Sequence, residues 1–296
     1  MAVAVLDSPR SRARAALVAM RPRQWSKNLL LFAGLLFAAK LGDETRWLEA
    51  LLAFALYCAA SSAAYLVNDV RDAVQDRQHP IKRFRPVASG ELPVRAAVAL
   101  AGVLGAVAFA GAAVLGLGSV GFLVGFLLLQ AAYTAGLKQV VLIDVLAIAA
   151  LFVVRASAGA EAVDVRISPW LLICTGLLAL FLALAKRRAE LVLVGAEETP
   201  GRPVLEGYSL ALVDQLVTVV AASTVIAYSL YTFTARDSKA MMATVPFVLY
   251  GVFRYLLLLH RHDLGEEPEN VLLSDGPLLL TVAAWAATSA VILALT

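Results

Sequence analysis

Long apolar runs, cut by short clusters of charged, Pro and Gly residues, dominate the chain. This punctuation divides its 296 residues into nine stretches, at 28–41, 47–67, 96–115, 120–137, 140–160, 170–185, 212–233, 244–259 and 278–295. A hydrocarbon core of about 30 Å needs about 20 largely apolar residues wound as a helix, so each stretch predicts one crossing. The first is short for a full crossing and is expected to tilt or to begin earlier, near Arg23 and Trp25. The expected fold is all-α: a polytopic membrane protein of nine transmembrane helices, forming one domain over residues 1–296. Residues 1–22 form a basic N-terminal segment.

Composition rules out a soluble domain. Hydrophobic residues make up 61% of the chain and charged residues 16%, with a mean hydropathy of +0.81; soluble domains are nearer one half apolar. The placement of charge is more informative than the net +3. With the N-terminus inside, nineteen of the 25 Lys and Arg residues fall in inside loops, five fall outside, and Arg155 lies within a span. Miscounting one early helix would scramble that division, so the loops support nine crossings and a cytoplasmic N-terminus; the expected location is the inner (plasma) membrane. Arg10, Arg12, Arg14, Arg21, Arg23 and Lys27 precede the first apolar run as in a signal peptide. That run ends in Lys40 without a small-residue cleavage pattern, so a retained helix is expected. Cys58 and Cys174 sit inside apolar stretches and read as small buried hydrophobes. No nucleic-acid partner is expected, and a homo-oligomer is compatible with the sequence.

The candidate chemistry begins where the second span ends, at Asn68-Asp69-Val70-Arg71-Asp72-Ala73-Val74-Gln75-Asp76-Arg77. On a continuing helix Asp69, Asp72 and Asp76 share one face at i, i+3 and i+7, with Asn68 beside them. Three crowded carboxylates repel one another unless a cation intervenes. Magnesium suits them, since it takes hard oxygen ligands and is commonly held by one or two carboxylates together with substrate phosphates. Lys82, Arg83 and Arg85 follow within a few residues and would neutralise the remaining charge of a metal-chelated polyanion. The pairing implies a phosphorylated substrate. A solvated helix end, with Arg71 and Arg77 pairing the acids, is the plainer alternative.

These residues resemble the N-D-x-x-D-x-x-x-D motif of the UbiA superfamily of intramembrane prenyltransferases, matched in full by Asn68, Asp69, Asp72 and Asp76. The resemblance covers nearly the whole chain and implies nine transmembrane helices around a cavity opening to the cytoplasmic face. Within the superfamily, Arg21-Pro22-Arg23-Gln24-Trp25-Ser26-Lys27-Asn28 and the stretch from Lys82 to Pro86 look most like the decaprenyl-phosphate phosphoribosyltransferase branch. That branch makes a polyprenyl-phosphoryl ribose precursor of cell-wall arabinan. A departure from the wider family agrees with the branch. Most members carry a second aspartate motif at the end of the sixth helix, whereas this chain has Lys186-Arg187-Arg188-Ala189-Glu190-Leu191. A basic trio cannot chelate a metal but can grip a phosphate, such as the 5-phosphate of phosphoribosyl diphosphate. Glu190 equally suits a pair with Arg187.

Tyr133 and Lys138 resemble the tyrosine-to-lysine motif the superfamily uses near the diphosphate. Arg155, inside a span, is expected to line the cavity as a ligand for phosphate or acceptor, because an intramembrane charge is costly and usually functional. Residues 265–270 look like the branch's acidic loop, with no role assigned. The expected function is magnesium-dependent transfer of 5-phosphoribose from phosphoribosyl diphosphate to a polyprenyl phosphate. The catalytic and metal residues would be Asp69, Asp72 and Asp76. Substrate would be bound by Lys27, Asn28, Asn68, Lys82, Arg83, Arg85, Tyr133, Lys138, Arg155, Lys186, Arg187 and Glu190. The alternative within the superfamily is a prenyltransferase moving an isoprenoid onto an aromatic or tetrapyrrole acceptor, which requires the second acid pair. A secondary transporter would show inverted repeats, and none is evident.

Overall fold

The structure, a computed structural model, describes residues 11–37, 42–79, 82–197, 203–234, 238–261, 271 and 274–295. No strand occurs among them. The helices are α1 (Arg12–Ala19), α2 (Ala33–Phe37), α3 (Glu44–Arg71), α4 (Ala73–Gln78), α5 (Val94–Leu115), α6 (Leu117–Ala135), α7 (Ile143–Ala162), α8 (Pro169–Glu197), α9 (Leu210–Thr234), α10 (Val245–Arg261) and α11 (Gly276–Leu295). In a bilayer the backbone must satisfy its own polar groups, and over these Ala-, Leu- and Val-rich runs the helix does so. The Asp43 carboxylate starts α3 by accepting from the backbone N–H of Thr45 at 3.0 Å and of Arg46 at 3.3 Å. Among the described residues eight helices are long and apolar enough to cross a membrane: α3, α5 to α9, α10 with the turn before it, and α11.

The first expected crossing departs from the nine-helix reading. Its described part is a 3-10 helix, Pro22–Phe32, followed by the five residues of α2; residues 38–41 lie outside the described set. The segment runs antiparallel to α3 over nearly the helix's full height. Arg21 meets Asp69, Trp25 meets Ser62, Asn28 meets Cys58, Phe32 meets Phe54, and Leu35 packs with Ala50. A 3-10 helix rises about 2.0 Å per residue against about 1.5 Å for an α-helix, so few residues reach far. Hydropathy counts residues and is blind to rise, which is why this stretch looked short.

The segment lies tight against α7. A Cβ on Gly159 would stand 2.0 Å from the Leu31 carbonyl oxygen, and one on Gly34 would stand 2.7 Å from Ala160 Cα. Small residues at such crossings let backbones approach within a membrane. Gly159→Ala therefore forces the 3-10 segment off α7. Overpacking of this kind costs about 1–3 kcal/mol, and the expected result is a melting midpoint in detergent lowered by several degrees. An unchanged midpoint would show that the segment is not held there.

Two apolar cores share α7. One joins α3, α5, α6 and α7 through Leu56, Phe126 and Leu151; the other joins α7 to α10 through Phe181, Val217 and Leu259. Outward faces of α5, α6 and α11 leave Val107, Leu128 and Leu280 exposed, as lipid contact requires. Short helix α1 packs Ala15 and Ala19 against Leu66 and Ala97 at the motif end of α3, with Leu17 and Val18 exposed.

Candidate active site in a membrane cavity

A cavity of about 1570 Å³ runs between the two cores. One end is polar, where α3 finishes and α8 carries Lys186 and Arg187; the other is apolar, near Trp47 and Trp170.

At the polar end Asp72 closes α3 with φ −91° and ψ 2°, and the chain turns into α4. The three aspartates consequently do not converge as a continuous helix would place them. Asn68 and Asp72 line the cavity, whereas Asp69 and Asp76 are buried behind it. Arg85 bridges the buried pair, its Nη1 lying 2.8 Å from Asp76 Oδ2 and 3.4 Å from Asp69 Oδ1. Arg21 Nη2 lies 2.6 Å from the same Asp69 oxygen. Buried like charges need a counter-charge, and here guanidinium groups supply it. Among the described residues no three acidic, His or Cys side chains stand close enough to hold a metal as they are.

The donor set nevertheless suits a hard cation. Asn68 Oδ1 is buried with no hydrogen-bond partner, beside the Asp72 carboxylate. An orphaned amide oxygen and a carboxylate on one cavity wall match the ligand preference of magnesium. The support of Arg85 is firm: Ser89 N–H donates to its carbonyl at 2.8 Å, Leu92 N–H donates to Pro86 O at 2.8 Å, and Arg77 Nε donates to Ala88 O at 3.1 Å. Lys82 also lines the cavity. Arg83 does not; it is exposed, 4.8 Å over the Phe84 ring, and its expected role as a substrate ligand has no support in the geometry.

Tyr133, at the end of α6, and Lys138, in the turn after it, line the facing wall with Lys186 and Arg187. Arg187 is 1% exposed and held from behind. Its Nε lies 2.7 Å from Asp144 Oδ2, and its Nη1 pairs with Glu190. Asp144 Oδ1 accepts from the Tyr208 hydroxyl at 2.6 Å, and that hydroxyl accepts from Leu142 N–H at 2.8 Å. Leu142 has a φ of 67°, in the left-handed region a leucine rarely adopts, and the Tyr208 bond helps hold it. Burial, aided by Asp144, pushes the Tyr208 phenol up to about 12, so it stays protonated and keeps donating. Glu190 thus serves Arg187 and is not part of the cavity wall. Arg188 leaves the expected trio altogether: its Nε lies 2.7 Å from Asp214 Oδ1 and its Nη1 donates to Leu259 O at 2.9 Å, tying α8 to α9 and α10.

Lys27 and Arg155 line the middle of the cavity. Asn28 does not reach it. Fully buried, it accepts from Arg155 Nε at 2.9 Å and donates to Cys58 Sγ at 3.3 Å, which makes it a support for Arg155 and not the expected substrate ligand. Toward the apolar end Trp285 Nε1 donates to the Tyr228 hydroxyl at 2.7 Å, and that hydroxyl is hydrogen-bonded to Thr244 Oγ1 at 2.7 Å. Arg21, Asp144, Tyr208 and Tyr228 were not among the expected site residues. Arg21 stands in a string already singled out, and Asp144 directly follows the turn carrying Lys138. Nothing local marks Tyr208 or Tyr228. The acidic stretch 265–270 lies outside the described residues.

Residues 29–274 match the model of the UbiA prenyltransferase family. The chain is 35% identical over 292 residues to the decaprenyl-phosphate phosphoribosyltransferase of Mycobacterium tuberculosis (strain ATCC 25618 / H37Rv), covering 96% of each protein. It is 33% identical over 288 residues to the protein of that name in Corynebacterium glutamicum, covering 94% of this chain and 86% of the relative. In three dimensions it is similar to a UbiA homologue from Archaeoglobus fulgidus bound to DMAPP and Mg2+, with a TM-score of 0.72 at 18% identity over 95% of this chain and 99% of the other. The match over most of its length, with full-length relatives at this identity, shows that the chain belongs to the UbiA prenyltransferase family.

Proposed function

We propose that this enzyme transfers 5-phosphoribose from phosphoribosyl diphosphate to a polyprenyl phosphate, with release of pyrophosphate. The observation that carries the reading is the charge of the wall facing the acid motif. Lys186 and Arg187 line the cavity at the helix end where a prenyl-transferring member would carry its second acid pair. The relatives named for phosphoribosyl transfer to decaprenyl phosphate support the same reading. So does the shape of the cavity, whose apolar length suits an isoprenoid tail while its charged end suits a sugar with phosphates at both ends.

In the proposed reaction the bond from ribose C1 to the diphosphate oxygen breaks, and its electron pair leaves with pyrophosphate. An oxygen of the acceptor phosphate forms the new bond to C1. The acceptor is already an anion, so no general base is required. Lys82 and Lys138 meet the diphosphate, and Arg85 turns from Asp69 and Asp76 to join them, replacing one set of charge-assisted bonds by another. Asn68 and Asp72, with the Asp76 carboxylate that Arg85 releases, would hold magnesium brought in with the diphosphate, while Asp69 keeps its pair with Arg21. Bound there, the ion supplies Lewis-acid neutralisation of the leaving group. Fixed charges of this kind, aimed where charge develops, carry most of such a rate enhancement. The division of basic residues among the loops supports a charged mouth at the cytoplasmic face of the plasma membrane.

The wall is tested with a donor lacking the 5-phosphate. Wild-type protein is expected to use ribosyl diphosphate far less well than phosphoribosyl diphosphate. Lys186→Met is expected to raise KM for the full donor about tenfold or more, as loss of a hydrogen bond to a charged group does, and to leave KM for the truncated donor nearly unchanged. Equal losses with both donors would move the 5-phosphate to another residue.

A further inference from the structure

Arg155 is a cation buried inside the membrane region with no carboxylate paired to it among the described residues. It is 5% exposed, and its guanidinium is fixed on three sides. Nε donates to Asn28 Oδ1 at 2.9 Å, Nη1 donates to Leu151 O at 3.1 Å, and Cζ stands 4.6 Å over the Phe126 ring and 5.5 Å over that of Phe152. A lone intramembrane charge is expensive, and residues of this kind pair with something or bind something. Arg155 faces the cavity.

The level at which it does so is informative. Its side chain leans back along α7 to the Leu151 carbonyl, eight residues into the helix from Ile143, which is about 12 Å at 1.5 Å per residue. The acid motif and the basic wall lie at the helix ends, and Tyr65, which lines the cavity one turn before Asp69 on α3, stands between the two levels. Lys27 lines the cavity near the same level, and beyond the two cations the wall is mostly apolar, with Leu30, Leu178 and Trp170. A molecule with a long apolar tail and a single charged head, entering with its tail toward Trp170, would bring that head to rest between the tail and the diphosphate.

We infer that Arg155 is the seat of the acceptor lipid's phosphate monoester, and that Asn28 is the positioning residue that turns the guanidinium toward it. The inference rests on the proposed reaction and assigns its acceptor subsite. A phosphate monoester also terminates the sugar donor, so the test must separate the two sources.

Equilibrium binding to purified protein in detergent does so, with three probes: farnesyl phosphate, farnesol, and phosphoribosyl diphosphate with magnesium. Wild-type protein is expected to prefer farnesyl phosphate to farnesol by roughly 10- to 100-fold, the range for bonds to a charged group. Arg155→Met is expected to reduce farnesyl phosphate to the affinity of farnesol while leaving the donor's affinity unchanged. Arg155→Lys keeps the charge and is expected to recover part of the preference, which separates binding from folding. Asn28→Ala is expected to raise KM for the lipid phosphate with KM for the donor unchanged, a split that simple loss of structure would not give. If Arg155→Met keeps the full preference, the inference fails and the reaction stands. If it weakens the donor instead, the seat belongs to the 5-phosphate and the inference is overturned. If wild-type protein shows no preference for the lipid phosphate and instead turns over a prenyl diphosphate, both the inference and the reaction are wrong.

Discussion

Asp72→Ala abolishes turnover, by on the order of 10³-fold or more in kcat, while the melting midpoint of the protein is unchanged. The two halves of this result come from different parts of the geometry. Asp72 faces the cavity beside the unsatisfied Asn68 oxygen, and no hydrogen bond or ion pair among the described residues ties its side chain to the fold. It is the carboxylate of the motif already free to take a metal-bound diphosphate, because Asp69 and Asp76 are held by Arg21 and Arg85. Removing it leaves the fold intact and the leaving group without its main support. Asp72→Asn, which keeps an oxygen donor without the charge, is expected to retain more activity than the alanine variant. Turnover assayed beside thermal unfolding checks both halves; a fall in stability equal to that of a core mutation would show that Asp72 is structural.

Asp144→Ala is expected to act in the opposite way, through stability first. Asp144 is fully buried and accepts from both Arg187 and Tyr208. Its loss leaves the Arg187 guanidinium in the interior with Glu190 as its remaining acid partner among the described contacts. Breaking one side of a buried pair costs about 3–5 kcal/mol when the other charge is left alone, and Glu190 offsets part of that cost here. The expected result is a protein that melts well below wild type and binds donor weakly, since Arg187 no longer holds its direction. Tyr208→Phe removes the charge-assisted bond to the same carboxylate and the bond from Leu142 N–H, expected to cost about 1.5–3 kcal/mol, and should fall between the two. Similar midpoints for Asp144→Ala and wild type would mean that the network contributes little to the fold.

The acid motif and the basic residues around it were legible in the sequence because they are local. Asn68, Asp69, Asp72 and Asp76 stand within nine residues, and Lys82 and Arg85 follow closely. What happened to them was not legible, because it depends on partners far along the chain. Arg21 reaches Asp69 across 48 positions, and Arg187 reaches Asp144 across 43. The run Lys186, Arg187 and Arg188 shows the limit clearly. Neighbouring positions on a helix face different directions, so a basic run cannot all point into one cavity, and Arg188 turned to Asp214 instead. The first crossing was read as short for a related reason: its length was legible, its 3-10 rise was not. Asn28 was expected among the substrate ligands on the strength of its string; its burial behind Arg155 follows from the close approach that Gly159 permits.

The most direct test of the central claim follows the label. Purified protein in detergent is given phosphoribosyl diphosphate labelled in the ribose, magnesium and a polyprenyl phosphate, and the organic-extractable product is counted and weighed by mass spectrometry. The account predicts metal-dependent transfer of label into a lipid heavier than the acceptor by one phosphoribosyl group, with one pyrophosphate released per lipid formed. Label remaining in the aqueous phase, with an isoprenoid moving from a prenyl diphosphate to an aromatic acceptor instead, would contradict it.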